Sequence, residues 1–147
     1  MVRIEGQIVI DRPVGEVFDF VADERNEPRY NRRMPRAEKI SDGSIGTGTR
    51  FRAETTNMGR TVPMIIELTV YDRPRRLAST THMSSMDLQG TLTFDPVPPG
   101  TRMRWSWDVE PRGVLRLVRP LVALMGRRQE QRIWTELKKL LEARGST

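Results

Sequence analysis

The chain has 147 residues, with 37% hydrophobic and 30% charged residues and no cysteine. That length suits one domain, 1–147, with one core, and the missing thiols exclude disulfide frameworks, thiolate metal sites and cysteine nucleophiles together. A net charge of +6 favours anions or acidic surfaces as partners, and most of the excess falls within residues 113–147, where eight Lys or Arg stand against three Glu.

The first ten residues lack the basic start and apolar run of a signal peptide, and no apolar run is long enough to span a bilayer. The expected compartment is the cytoplasm. Val2, Ile4, Ile8 and Ile10 alternate with Arg3, Glu5 and Gln7, the period of a half-buried strand. Pro13 then suits the first turn of a helix, and Val14, Val17, Phe18 and Val21 recur at helical spacing. Asp23 is placed to cap a second short helix or turn, which Pro28 limits before Tyr30.

Strands are predicted at 37–40, 49–56 and 62–71, joined by the turn-forming stretches "SDGSIGTG" and "NMGR". In the third of these Val62, Met64, Ile66, Leu68 and Val70 share one face. After the tight turn "YDRPRR", a strand is predicted at 77–82. A hairpin follows, with Met86, Leu88, Leu92 and Phe94 on one face of its first arm and Met103, Trp105, Trp107 and Val109 on one face of its second. Pro98, Pro99 and Gly100 connect the arms, so they pair antiparallel. Residues 114–144 are helical in composition, with Pro120 separating a short first piece from a long helix that carries Ile133, Trp134, Leu137, Leu140 and Leu141 on one face. This order is α+β with an antiparallel sheet, and the preferred packing sets the long helix against the concave face of a bent sheet, with space for a pocket between them.

His82 is the single histidine, so a histidine metal site would need carboxylates for every other ligand and no metal is expected. It reads either as a general base in a pocket or as an ordinary strand residue. The stretch "GSIGTG" has the wrong glycine order for a dinucleotide fingerprint and precedes a strand, so it reads as a turn. Phe51, Met64, Ile66, Leu68, Leu88, Met103, Trp105, Trp107 and Trp134 either fill the core or line an apolar ligand pocket. Tyr30, and less well Tyr71, is placed to donate a hydrogen bond to a carbonyl ligand. The strand carboxylates Glu54, Glu67 and Asp87 alternate outward, and no catalytic pair stands out among them. Small arginine groups at 32, 33 and 36, at 73, 75 and 76, and at 127 and 128 suit either phosphate contact or a solvated surface. Few aromatics are interleaved with them, which argues against specific nucleic-acid binding.

The stretches "IVIDRPVGEVFDFVADERNEPRYN", "GTRMRWSWDVEP" and "GRRQEQRIWTELKKLLEARG" together resemble the START-like or Bet v 1-like superfamily, the SRPBCC or polyketide cyclase/dehydrase-type proteins. The resemblance covers essentially the whole chain. It implies the helix-grip fold, a bent seven-stranded antiparallel sheet around a long C-terminal helix, with two short helices after the first strand closing one end. It also implies a cavity for a small hydrophobic or amphipathic molecule, such as a lipid or polyketide, without a cofactor. An alternative is a cofactor-independent cyclase or dehydratase that moves protons by a pocket Tyr, His or carboxylate. A third reading is a basic surface module with weak contact to anionic membrane or nucleic acid. The fold alone leaves the question of catalysis open, and monomer and homodimer both fit. The apolar segment "VLRLVRPLVALMG" suits a cover for the cavity mouth or for a dimer partner.

Overall fold

Alternating burial along β1 (Val2–Ile10) gives the pattern on which the rest of the sheet is built. Val2, Ile4 and Ile10 point inward and are buried, while Arg3, Glu5 and Gln7 do not. The computed structural model describes residues 2–57 and 59–145; Met58, in the predicted "NMGR" turn, lies outside them. After β1 come α1 (Val14–Ala22) and a 3-10 turn at Glu24–Arg29. The six strands that follow are β2 (Arg36–Lys39), β3 (Arg50–Asn57), β4 (Arg60–Asp72), β5 (Arg76–His82), β6 (Met86–Val97) and β7 (Gly100–Pro111). A second 3-10 turn, Gly113–Val118, leads into α2 (Arg119–Arg144), with Pro120 in its first turn where the missing N–H costs nothing.

The seven strands form one antiparallel sheet in the order β1-β7-β6-β5-β4-β3-β2. With the long helix α2 packed against it, this is the helix-grip fold. The predicted strands are all present and extend a residue or two beyond their predicted ends in several places.

One prediction is corrected. Val70 was expected on the face of Met64, Ile66 and Leu68, but the β4–β5 register slips between Leu68 and Val70. A bulge inserts one extra residue and so reverses the alternation beyond it. Tyr71 therefore turns inward and meets Phe18 edge-on, with ring centroids 5.2 Å apart.

The break between α1 and the 3-10 turn is fixed locally. Asp23 accepts a hydrogen bond from the Arg25 N–H at 3.1 Å, and the Asn26 side-chain amide donates to the Phe20 carbonyl at 3.0 Å. This V-shaped pair closes one end of the grip, where Phe18, Phe94, Met103, Leu137 and Leu141 have no exposed surface. Phe18 and Phe94 stack edge to face at 5.3 Å, a geometry that contributes about 1 kcal/mol beyond area burial. A second cluster lies under β2, β3 and β4 around Phe51, Met64 and Ile66. The third, around Val2, Ile4 and Val109, packs against Val122 and Ala123 of α2.

Two glycines set close approaches. A side chain at Gly6 would strike the Trp105 ring, which lies across β1 from the paired strand. One at Gly126 would lie 2.3 Å from Ile4 Cδ1, so the helix rests directly on β1 there.

Candidate functional site: a groove ending at a buried carboxyl cluster

Between the N-terminal part of α2 and the sheet lies a groove of about 460 Å³. Ile4, Val62, Met86, Leu88, Val109 and Val122 supply apolar walls, while Arg33, Gln129 and Glu130 are polar. The space is left where α2 presents the short side chain of Val122, while at Gly126 the helix meets Ile4 directly. Leu115 and Met125 stand on the helical side of the groove.

Further in is a smaller cavity of about 70 Å³, walled by Val21, Leu68, Leu77, Leu92 and Ile133. Its polar groups are Glu24, Glu27, Ser79, Trp107, Glu130 and Trp134. That volume holds a few water molecules or the polar end of a larger molecule. Glu130 lines both spaces, so its carboxyl stands where the groove meets the inner cavity.

The three glutamates are half-buried as whole residues, yet their carboxyls are turned inward. Glu24 Oε2 is out of reach of solvent and has no hydrogen-bond partner. Burial, reinforced by the neighbouring charge of Glu27, holds the Glu24 carboxyl well above the usual range. Glu27 is also raised by burial, against the opposing effect of hydrogen bonding from Glu24 and from Asn31, whose amide donates at 2.8 Å. Glu130 is pushed up to about 8, first by burial and then by the charge of Glu27, while the indole N–H groups of Trp134 and Trp107 pull the other way. Burial and the same three glutamates raise the Tyr30 hydroxyl well above its ordinary value.

A carboxyl that titrates near 8 can both give and accept a proton at neutral pH. The indole Nε1 atoms of Trp107 and Trp134 are buried beside the Glu130 carboxyl, near enough to act on its charge but outside strict hydrogen-bond geometry with any acceptor. Buried donors of that kind are uncommon and mark a place where a polar atom would be held. Among the described residues no group of His, Asp and Glu has the arrangement to hold a metal ion.

The structure distributes the residues singled out by sequence over several places. Leu88 lines the groove; Leu68, Trp107 and Trp134 line the inner cavity. Tyr30 is buried behind that cavity, its ring 6.0 Å from that of Trp134, and also faces a separate cleft bordered by Arg32, Arg33, Arg128 and Arg132. Phe51, Met64, Ile66, Met103 and Trp105 are packed into the core and line neither space.

His82 lies outside both cavities. Leu77 and Ser79 take the inward positions of β5, which turns His82 to the outer face, with 67% of its side chain exposed. There its Nδ1 is 2.8 Å from Asp87, which also pairs with Arg112. These partners hold the Asp87 carboxyl below its usual range, the His82 hydrogen bond foremost.

Glu24, Glu27 and Glu130 were not among the sequence candidates. Glu130 carried a signal: it stands three and four residues before Ile133 and Trp134, on the apolar stripe of α2. A charged residue at a core position is itself informative. Glu24 and Glu27 gave no such signal, because a short 3-10 turn has no long apolar stripe to interrupt.

Residues 1–142 match the family described as polyketide cyclase / dehydrase and lipid transport, and the chain belongs to that family. Solved structures agree on the fold. TTHA0849 from Thermus thermophilus superposes with a TM-score of 0.83 at 21% identity, covering 96% of this chain and 97% of that one. The Zhui aromatase/cyclase from a Streptomyces species gives 0.82 at 13% identity, covering 97% and 94%. A START superfamily protein from Mycobacterium smegmatis gives 0.73 at 14%, covering 97% and 95%. No curated protein matches the sequence.

Proposed function

We propose that the chain acts as a single cytoplasmic ligand-binding domain, 1–147, which takes a small hydrophobic or amphipathic molecule, a lipid, polyketide or similar metabolite, into the groove between the sheet and α2. The observation that carries this reading is the groove of about 460 Å³, apolar along its walls and ending at Glu130. Such a site pairs apolar contact area with a few placed polar groups. The ligand's apolar part lies against Leu88, Val109 and Val122, and its polar end points toward Glu130 and the indole N–H groups of Trp107 and Trp134. No cofactor and no nucleic acid enter this reading.

Native mass spectrometry of freshly purified protein, followed by organic extraction, tests it. The expected result is a defined extra mass that extracts as an apolar or amphipathic compound. A fluorescent fatty-acid probe should bind saturably to the wild type and at least tenfold more weakly to Val122→Trp, which fills the groove. Equal affinity in that variant, if it is folded, would remove the groove from the account.

A second reading is favoured by Glu130 itself. In a cyclase or dehydratase, its carboxylate would take a proton from carbon beside a carbonyl whose oxygen accepts hydrogen bonds from Trp107 and Trp134. Turnover of a polyketide mimic that is lost in Glu130→Gln while ligand affinity persists would support it. Unchanged turnover in that variant would exclude Glu130 as the base.

A further inference from the structure

Six large apolar residues stand exposed along one short stretch: Val114, Leu117, Val118, Leu121, Leu124 and Met125, between 39% and 84% accessible. They occupy the 3-10 turn and the first two turns of α2. At 100° per residue, Leu121, Leu124 and Met125 share the side of α2 opposite the one that packs. The packing side carries Val122 and Gly126, which lie against the cluster around Ile4. An apolar face of this extent on an otherwise polar surface marks an interaction site.

Its charge says what kind. Residues 113–129 contain Arg116, Arg119, Arg127 and Arg128 and no Asp or Glu. Among the described residues none of these four arginines forms an ion pair. A second copy of the chain docking symmetrically on this face would set arginines against arginines with no carboxylate between them. A bilayer carrying anionic lipid offers what the face lacks, acyl chains for the leucines and phosphates for the guanidinium groups. Leu115 and Met125, from the same segment, border the groove, so the groove opens beside this face.

We propose that residues 114–128 form a docking surface for an anionic bilayer. The apolar side chains enter the acyl boundary, the arginines stay among the phosphates, and the helix lies along the membrane. No helix among the described residues is long and apolar enough to cross one. The docking surface stands on its own observations and holds whether or not the groove takes a ligand.

Sedimentation of the full chain with phosphatidylcholine vesicles, with and without one quarter phosphatidylglycerol, tests the proposal. Binding is expected only with the anionic lipid and should weaken as salt is raised. The double variant Leu117→Asp/Leu121→Asp should partition at least about tenfold less. The triple variant Arg116→Gln/Arg119→Gln/Arg127→Gln should partition roughly a hundredfold less. Both variants should keep the wild-type melting temperature and fluorescent-probe affinity, since none of the altered residues lines the groove. Absence of binding to anionic vesicles, or undiminished binding of the aspartate variant, would overturn the proposal. So would a dimer in analytical ultracentrifugation that the aspartate variant dissociates, since a second copy would then cover this face.

Discussion

Along α2, the large apolar residues after Glu130 are buried or half-buried, and several of those before it are exposed. Ile133, Trp134, Leu137 and Leu141 are at most 8% exposed, whereas Leu121, Leu124 and Met125 are 45% to 52% exposed. The later half meets Trp105, Met103 and Phe94 and fills the end of the grip that α1 closes. The earlier half turns Val122, Ala123 and Gly126 toward the sheet and leaves the groove open. One continuous helix is therefore an anchor at one end and the wall of an opening at the other. Side-chain volume at a few positions makes the difference, because secondary structure is the same throughout.

The strongest way to probe the boundary between these halves is pH. Glu130 titrates at about 8 in the folded protein against 4.5 for an ordinary glutamate. Between those values the folded protein holds a proton that the unfolded chain has released. The resulting stabilisation is full below about pH 4.5 and is lost as pH rises through about 8. The loss should be on the order of 3–5 kcal/mol, with Glu24 and Glu27 adding to it in the same direction. Urea titrations of wild type and Glu130→Gln across pH 5–9 should show a shallower fall in the variant. Parallel curves would mean that Glu130 does not titrate in this range.

Packing distinguishes the halves next. Leu137→Ala should cost about 3 kcal/mol through the void it leaves, while Leu121→Ala, on the exposed face, should stay within about 0.5 kcal/mol. Similar losses in urea unfolding at both positions would contradict the division of the helix. A smaller spectroscopic effect sharpens the same boundary. Indole emission should change as pH passes through about 8, because Trp107 and Trp134 act directly on the Glu130 carboxyl, and the change should vanish in Glu130→Gln. Smallest of all should be His82→Ala, whose exposed site predicts a melting temperature within about 2 °C of wild type and unaltered probe affinity.

The alternation of Val2, Ile4 and Ile10, the helical spacing of Val17, Phe18 and Val21, and the run from Ile133 to Leu141 made the architecture legible in the sequence. Those patterns report which face a residue occupies, and burial follows from that. They do not report depth along an element. Trp105 and Trp107 share a strand face, yet Trp105 is packed under Gly6 in the closed end while Trp107 borders the inner cavity. The bulge after Leu68 was hidden because a one-residue slip has no compositional mark. Residue type points elsewhere: strand carboxylates and a single histidine are the obvious candidates for acid and base chemistry in this sequence. The carboxyls that lose solvent belong to a short turn and to the apolar stripe of a helix; Glu130 is marked by its place on that stripe, and only packing reveals Glu24 and Glu27.

At Gly126 the helix touches Ile4 with no side chain between them, beside the groove. The contact works as a fulcrum. An alanine there would push aside the tip of the Ile4 side chain, and a bulkier residue would lever the first turns of α2 away from β1 while Leu137 and Leu141 keep the far end seated. The bore of the groove is thus adjustable at a single lining position, with the rest of its walls unchanged.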